Sequence, residues 1–273
     1  MVDFSLLETI VVSYPSPEIG LVTLNRPKKL NAMSRVMYSE IRRVFDFFSK
    51  DPVVRCVVIT GNNRSFCAGM DLNDGSSYIS DDAARSALRA QEDIKTLQDS
   101  ITAVELCRKP VIAAVSGYCV GAGVDLITAC CIRYCSRNAI ISVREIVLGM
   151  AADIGTLERL PKIVGNESWV KEIVYTGKDV KAEEALNHGL FSKMFENHED
   201  TVKAALELAK NIAEKSPVAM IGSKINLNYS RDHSVNESLD FIVKWNGWAL
   251  QTRDLDDSVA AMIQKKKATY PKL

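Results

Sequence analysis

With 273 residues, 47% of them apolar and 25% charged, the chain has the balance of a globular protein with a sizeable core, as one large domain or two modest ones. Its 34 basic and 34 acidic side chains cancel, so no global charge excess points to nucleic acid or an anionic membrane as partner, and no apolar run is long enough for a membrane span. The seven cysteines are odd in number, lie mostly in apolar runs and include no CxxC pair, which fits buried free thiols. No metal is expected, because His188, His198 and His233 stand far apart and near no cysteine cluster.

In chain order, Thr9–Val12 and Gly20–Leu24 are expected strands, joined by the turn-rich Ser13-Tyr14-Pro15-Ser16-Pro17. The basic loop Asn25–Met33 follows, and Ser34 stands where an N-cap belongs. Met37, Ile41, Val44, Phe45 and Phe48 mark one face of a helix to about Lys50. Val53–Thr60 is a β-branched run suited to the interior of a parallel sheet. Gly61 opens a long loop. Asp82 then caps a helix to about Cys107, with Leu88, Ile94, Leu97, Ile101 and Val104 on its buried side. The strand Val111–Val115, a helix from Ala122, and short strands at Ile132–Cys135 and Ala139–Ser142 come next. Beyond Glu145 the pattern is helical to the end. Leu157–Leu160 leads into Pro161, followed by helices at Ser168–Tyr175, Ala182–Asn187, Val202–Lys215, Ser234–Leu250 and Asp254–Lys265. Strand–helix alternation followed by helices predicts an α/β core with a C-terminal helical extension.

Chemistry concentrates in residues 117–161, where Asp125, Glu145 and Asp153 lie among apolar and small residues on separate expected elements. Acids in such surroundings are suited to shifted pKa values and proton transfer. Each also has a plainer role: Asp125 complementing a helix dipole, Glu145 pairing with Arg144 or Arg133, Asp153 capping the helix near Gly155. Two buried strands lead into glycine turns, VVIT into FCAGMD and VIAAVSGYCV into GAGVD. Singly, each is an ordinary tight turn; side by side, two such turns can aim the N–H groups of Met70 and Ala122 at one oxygen, the arrangement that stabilises an enolate or oxyanion.

SFCAGMDL followed by GYCVGAGVDL resembles the crotonase (enoyl-CoA hydratase/isomerase) superfamily, and TLNRPKKLNAMS resembles its entrance to the CoA site. The resemblance spans roughly the whole chain. REIVLGMAADIGTLERLPKIVGN and SPVAMIGSKINLNYSRDHSVNESLDF are similar to the Δ3,5-Δ2,4-dienoyl-CoA isomerase branch, which has an acid at Asp153 where hydratases lack one. This resemblance implies a crotonase-like spiral of ββα units in residues 1–200, holding the CoA and active sites. Residues 201–273 would be a C-terminal helical trimerisation region, with trimers pairing into hexamers. It implies Met70 and Ala122 as oxyanion-hole donors and Glu145 and Asp153 as the acid/base pair. Asp125 would hold the pair's protonation pattern. Lys28, Lys29, Leu30, Ala68, Gly69, Asp71 and Leu72 would contact an acyl-CoA thioester. No cofactor is implied, since CoA is part of the substrate. One departure is Ala122, where the family commonly has glycine; alanine fits without strain only if its φ is helical.

A hydratase using Asp125 and Glu145 to activate water, and a non-catalytic acyl-CoA- or RNA-binding scaffold, are the competing readings. Asp153 counts against the first and the three acids against the second. The opening MVDFSLLETI lacks a basic signal region and the arginine content of a transit peptide, whereas Pro271-Lys272-Leu273 resembles the Ser-Lys-Leu address. The expected location is therefore a peroxisome-type organelle, with mitochondrion or cytosol as alternatives.

Overall fold

Val57, Val58 and Ile59, and every residue of Val111–Val115, are wholly buried, so these runs are covered on both faces, the condition for interior parallel strands. In the computed structural model, which describes residues 4–62, 65–74 and 82–273, the chain opens with a hairpin of β1 (Ile10–Ser16) and β2 (Ile19–Leu24). Helix α1 (Arg35–Lys50) follows, with the Ser34 side chain accepting from Met37 N–H as expected. The chain then runs through β3 (Cys56–Thr60), β4 (Ser65–Cys67) and α2 (Ala83–Leu106), then β5 (Val111–Val115), β6 (Tyr118–Val120) and α3 (Ala122–Ala129). A third round comprises β7 (Ile132–Ser136), β8 (Ile140–Ser142) and α4 (Thr156–Ile163). Each round lays one strand in a large sheet, one short strand in a small sheet, and a helix. This is the expected spiral of ββα units.

The remainder is α5 (Glu167–Thr176), β9 (Val180–Lys181), α6 (Ala182–Asn187), β10 (Lys193–Phe195), α7 (His198–Ala213), α8 (Pro217–Tyr229), α9 (Val235–Ala249) and α10 (Arg253–Ile263). The large sheet has the order β1-β2-β3-β5-β7-β10, parallel except for the hairpin; the small sheet has the order β4-β6-β8-β9, with β9 antiparallel.

Several expectations are corrected. The chain beyond Glu145 is not wholly helical: β9 pairs with β8, and β10 returns to the large sheet beside β7. Strands of two or three residues carry no periodicity, and only their partners hold them extended. Helix α8 escaped notice because its apolar positions form no single stripe. Leu88 is exposed, and only the C-terminal half of α2 is buried, through Ser100, Ile101 and Val104. Pro161 lies inside α4, which continues to Ile163. Helix α7 packs on the large sheet, where the fully buried Ala205 and Ala209 let its backbone approach Val58, Ile112 and Tyr134. Cys131 is the exposed exception to the buried thiols.

Candidate active site

The small sheet positions the site. β4 and β6 run parallel with Cys67 opposite Cys119, and each ends in a glycine turn. Gly69 has φ +101° and Gly121 φ +49°, values that favour glycine. A Cβ on Gly69 would lie 3.5 Å from the Val120 carbonyl oxygen, and one on Gly123 would lie 3.0 Å from Cβ of Cys67, so the turns pack directly on each other. Met33 N–H donates to Gly69 O at 2.8 Å and Asp71 N–H to Met33 O at 2.9 Å; this pattern skips the Met70 N–H between them. Ala122 is the first residue of α3, where an amide has no intrahelical acceptor. The left-handed residue is Gly121, and Ala122 is not among the positive-φ positions, so alanine is unstrained there, as expected.

The three acids surround these turns. Asp125, 1% exposed, accepts the Thr156 N–H at 2.6 Å and the Thr156 hydroxyl at 2.7 Å through Oδ1. Burial pushes its carboxyl up to about 7, against the Thr156 hydrogen bonds and with help from the charge of Glu145. Glu145 follows β8, and its Oε1 lies 3.0 Å from where a Gly121 Cβ would sit. Its Oε2 is enclosed without a hydrogen-bond partner among the described residues. Burial raises its pKa, and the charge of Asp153 adds to this. Neither arginine expected as its alternative partner takes it: Arg144 pairs with Asp179, and Arg133 donates to the carbonyls of Leu190 and Cys130.

Asp153 does not cap α4, whose N-cap is Gly155 without a side-chain bond. Its carbonyl accepts from Gln98 Nε2 at 2.7 Å and its carboxyl is raised by burial and by Glu158; the residue lines a cleft of about 280 Å³. Tyr38, Met70, Leu97 and Met150 line the same cleft.

The residues expected to meet CoA fall on two loops braced together. Lys28 and Lys29 are exposed on the 3₁₀ turn Pro27–Lys29, and Leu30 and Asn31 follow with left-handed φ of 49° and 57°. The Asn31 side chain donates to Ser65 O at 2.8 Å and to Asn62 Oδ1 at 3.1 Å, and Ala68 N–H donates to Leu30 O at 3.0 Å. Asp71 accepts from Arg26 at 2.8 Å; that bond, with further help from the Lys29 charge, holds its carboxyl below the usual range. Leu72 is exposed at the cleft rim. The structure thus gathers Met70, Ala122, Asp125, Glu145 and Asp153 and leaves Lys28 and Lys29 on the surface. Sequence reasoning missed Arg26, Tyr38, Gln98 and Thr156. Tyr38 lies three residues before Ile41 on the buried face of α1, a spacing that could have singled it out.

A spiral of ββα units with paired glycine turns and an acid cluster defines a protein of the crotonase type. The enoyl-CoA hydratase/isomerase family model matches residues 16–272, and the chain belongs to that family. It is similar to the mitochondrial Delta(3,5)-Delta(2,4)-dienoyl-CoA isomerase of Mus musculus, 46% identical over 97% of this chain and 84% of that protein. The peroxisomal Delta(3,5)-Delta(2,4)-dienoyl-CoA isomerase of Arabidopsis thaliana is 39% identical over 100% of this chain and 99% of that one. The crystal structure of an enoyl-CoA hydratase from Bacillus anthracis has a TM-score of 0.89 at 25% identity, covering 97% of this chain and 99% of its own.

The raised Asp125 has a measurable consequence. The unfolded carboxyl titrates near ~3.9 and the folded one at about 7, so between these values the folded chain binds more protons. The stability due to this group is therefore complete below pH ~4 and lost as pH rises through 7. Asp125→Asn keeps the acceptor for Thr156 and cannot ionise. It should melt above the wild type at pH 8, and the gap should shrink as pH falls towards 4. Calorimetry at both ends checks this; a pH-independent gap would contradict it.

Proposed function

We propose that the chain is a Δ3,5-Δ2,4-dienoyl-CoA isomerase of fatty-acid β-oxidation, working by a two-carboxylate proton shuttle above a pair of backbone amides. The observation that carries this reading is Asp153, an additional acid in the cleft that coulombically raises Glu145. A hydratase needs one activated water, and a further carboxyl there adds unwanted charge. A dienoyl shift needs a proton to leave C2 and another to arrive at C6, which two separated carboxyl groups suit. The two relatives bearing that activity in their names, matched over nearly the whole chain, support the same reading.

In this reaction the thioester oxygen lies between Met70 N–H and Ala122 N–H, where the enolate charge develops; such donors contribute roughly 3–4 kcal/mol each. Glu145 and Asp153 exchange protons with C2 and C6, and Asp125 sets the protonation pattern of the pair. Lys28, Lys29, Leu30, Ala68, Gly69, Asp71 and Leu72 hold CoA. The steps are proton transfers within one substrate and call on no metal, nicotinamide or flavin.

We further infer a homo-oligomer, trimer or hexamer, with residues 201–273 as the contact region. Support comes from α9 and α10, which leave Trp248 55% and Ile263 77% exposed, together with Leu239, Val243 and Met262. Among the described residues no helix is long and apolar enough to cross a membrane. An organelle address is proposed, peroxisome-type by the Lys-Leu ending, although Arg55 holds the carbonyls of Tyr270 and Pro271 and a receptor would have to displace it.

Incubated with 3,5-octadienoyl-CoA, the protein should generate the absorbance of a conjugated 2,4-dienoyl thioester; loss of 2-enoyl absorbance instead would favour the hydratase. Asp153→Asn and Glu145→Gln should each lower kcat by ~10²–10⁴-fold while CoA binding survives. Asp125→Asn should lose less, and Asp71→Asn should act through KM or folding, since Asp71 braces the loops. Near-normal isomerisation by Asp153→Asn would overturn the shuttle. Light scattering should give a multiple of the single-chain mass, a monomer at micromolar concentration being the contrary result. Deleting Pro271–Leu273 should send a tagged protein to the cytosol; unchanged localisation would refute the address.

A further inference from the structure

Tyr38 stands on the buried face of α1, 2% exposed, and lines the cleft that Met70 and Asp153 also line. Its hydroxyl oxygen is enclosed and has no hydrogen-bond partner among the described residues. A buried hydroxyl without an acceptor weakens a fold, and phenylalanine would supply the same ring without that cost. Groups left in this condition in a cleft are expected where function requires them.

The surroundings define what the hydroxyl can do. Asp125 from α3, Cys67 from β4, and Asp153 and Glu145 from the segments around β8 and α4 are the ionisable groups that act on it electrostatically. Burial first, and the neighbouring acidic side chains second, hold the phenol well above its ordinary pKa, so it is a neutral donor throughout the working range. Asp125 already has two donors on Oδ1, the amide and hydroxyl of Thr156. Glu145, whose Oε2 also lacks a partner among the described residues, sits over the Gly121 turn and is not among the residues lining the cleft. Asp153 shares the cleft with Tyr38, and Gln98 from α2 satisfies its carbonyl but not its carboxyl. The other charged groups of the cleft are Arg35, Asp71 and Asp74, with Asp71 engaged by Arg26; Glu158 of α4, outside the cleft lining, also raises Asp153.

We propose that Tyr38 is a positioning residue whose hydroxyl donates a hydrogen bond to the carboxylate of Asp153 when an acyl-CoA fills the cleft. This rests on Asp153 being one of the two shuttle acids. Hydrogen bonds of this kind are commonly open in a ligand-free enzyme and close in the substrate complex. The bond stabilises the ionised form of Asp153 against Glu145 and Glu158. It thereby biases a proton shared by the pair towards Glu145, giving two chemically similar acids different protonation states.

The test is Tyr38→Phe, which removes only the hydroxyl. Protein labelled with ¹³C at aspartate carboxyl carbons is saturated with octanoyl-CoA, which has no double bond to move, and the Asp153 signal, assigned by its absence in Asp153→Asn, is titrated. In Tyr38→Phe the Asp153 pKa should rise by about one unit, a ~10-fold change in its ionisation constant. With 3,5-octadienoyl-CoA, kcat should fall ~10-fold while KM changes less than ~2-fold. The melting temperature should stay level or increase, because an unpartnered buried hydroxyl has gone. An unchanged Asp153 titration would overturn the proposal, as would a lowered melting temperature with unaltered titration, the signature of a purely structural hydroxyl. The titration requires no turnover. Failure of the wild type to isomerise dienoyl-CoA would count against the proposed reaction alone, and the Asp153 signal would still decide the Tyr38 contact.

Discussion

One buried carboxyl joins the two halves of the site. Asp125 lies in the first turn of α3, three residues beyond Ala122, and its Oδ1 accepts both the amide and the hydroxyl of Thr156 at the start of α4. Thr156 is in turn three residues beyond Asp153. The bonds therefore fix the helix that presents a free amide relative to the segment that presents an acid. Hydrogen bonds to an ionised group contribute about 1.5–3 kcal/mol each, yet burial raises this carboxyl to about 7. The site thus places an acid where solvent exclusion disfavours its charge and two donors favour it. That balance puts the proton within reach near neutral pH.

The same low-dielectric setting governs the other two acids. Glu145 and Asp153 are both raised first by burial, and the charge of Asp153 makes Glu145 harder to ionise. Two half-buried carboxyl groups, one raised by the charge of the other, resist simultaneous ionisation, so one proton tends to stay with the pair. This is the starting condition for a shuttle, in which one group accepts a proton and the other delivers one. The amide pair requires no charge of its own, and its geometry follows from glycine at 69, 121 and 123. The contacts at Gly69 and Gly123 set the turns face to face, and the left-handed φ of Gly121 lets α3 begin directly beneath Glu145.

Much of this was legible in the sequence, and the reasons differ by element. Strands such as Val111–Val115 announce themselves by β-branched burial, and the Ser34 and Asp82 caps by residue type. The three acids stood out because charged residues are rare in apolar runs. What could not be read depends on contacts between distant segments. β10 exists because Ser136 and its neighbours offer an edge, and Asp125 is held by a threonine 31 residues away. The burial of Tyr38 follows from helical spacing; the lack of an acceptor for its hydroxyl among the described residues does not. Asp153 suits a cap for a helix expected to start near Gly155, because aspartate is a favoured N-cap residue. The turn instead places Gly155 at the cap and leaves Asp153 lining the cleft.

The central claim is that two different carboxyl groups serve the two ends of the diene, and the fate of the transferred hydrogen tests it directly. On the proposed route, a single turnover of 3,5-octadienoyl-CoA in D₂O sends the C2 proton to one acid while C6 is protonated by the other, which has equilibrated with solvent. Mass spectrometry and NMR of the 2,4-dienoyl product should therefore find deuterium at C6. Retention of the substrate's own hydrogen at C6 would mean that a single group carries it across, contradicting the two-carboxylate account.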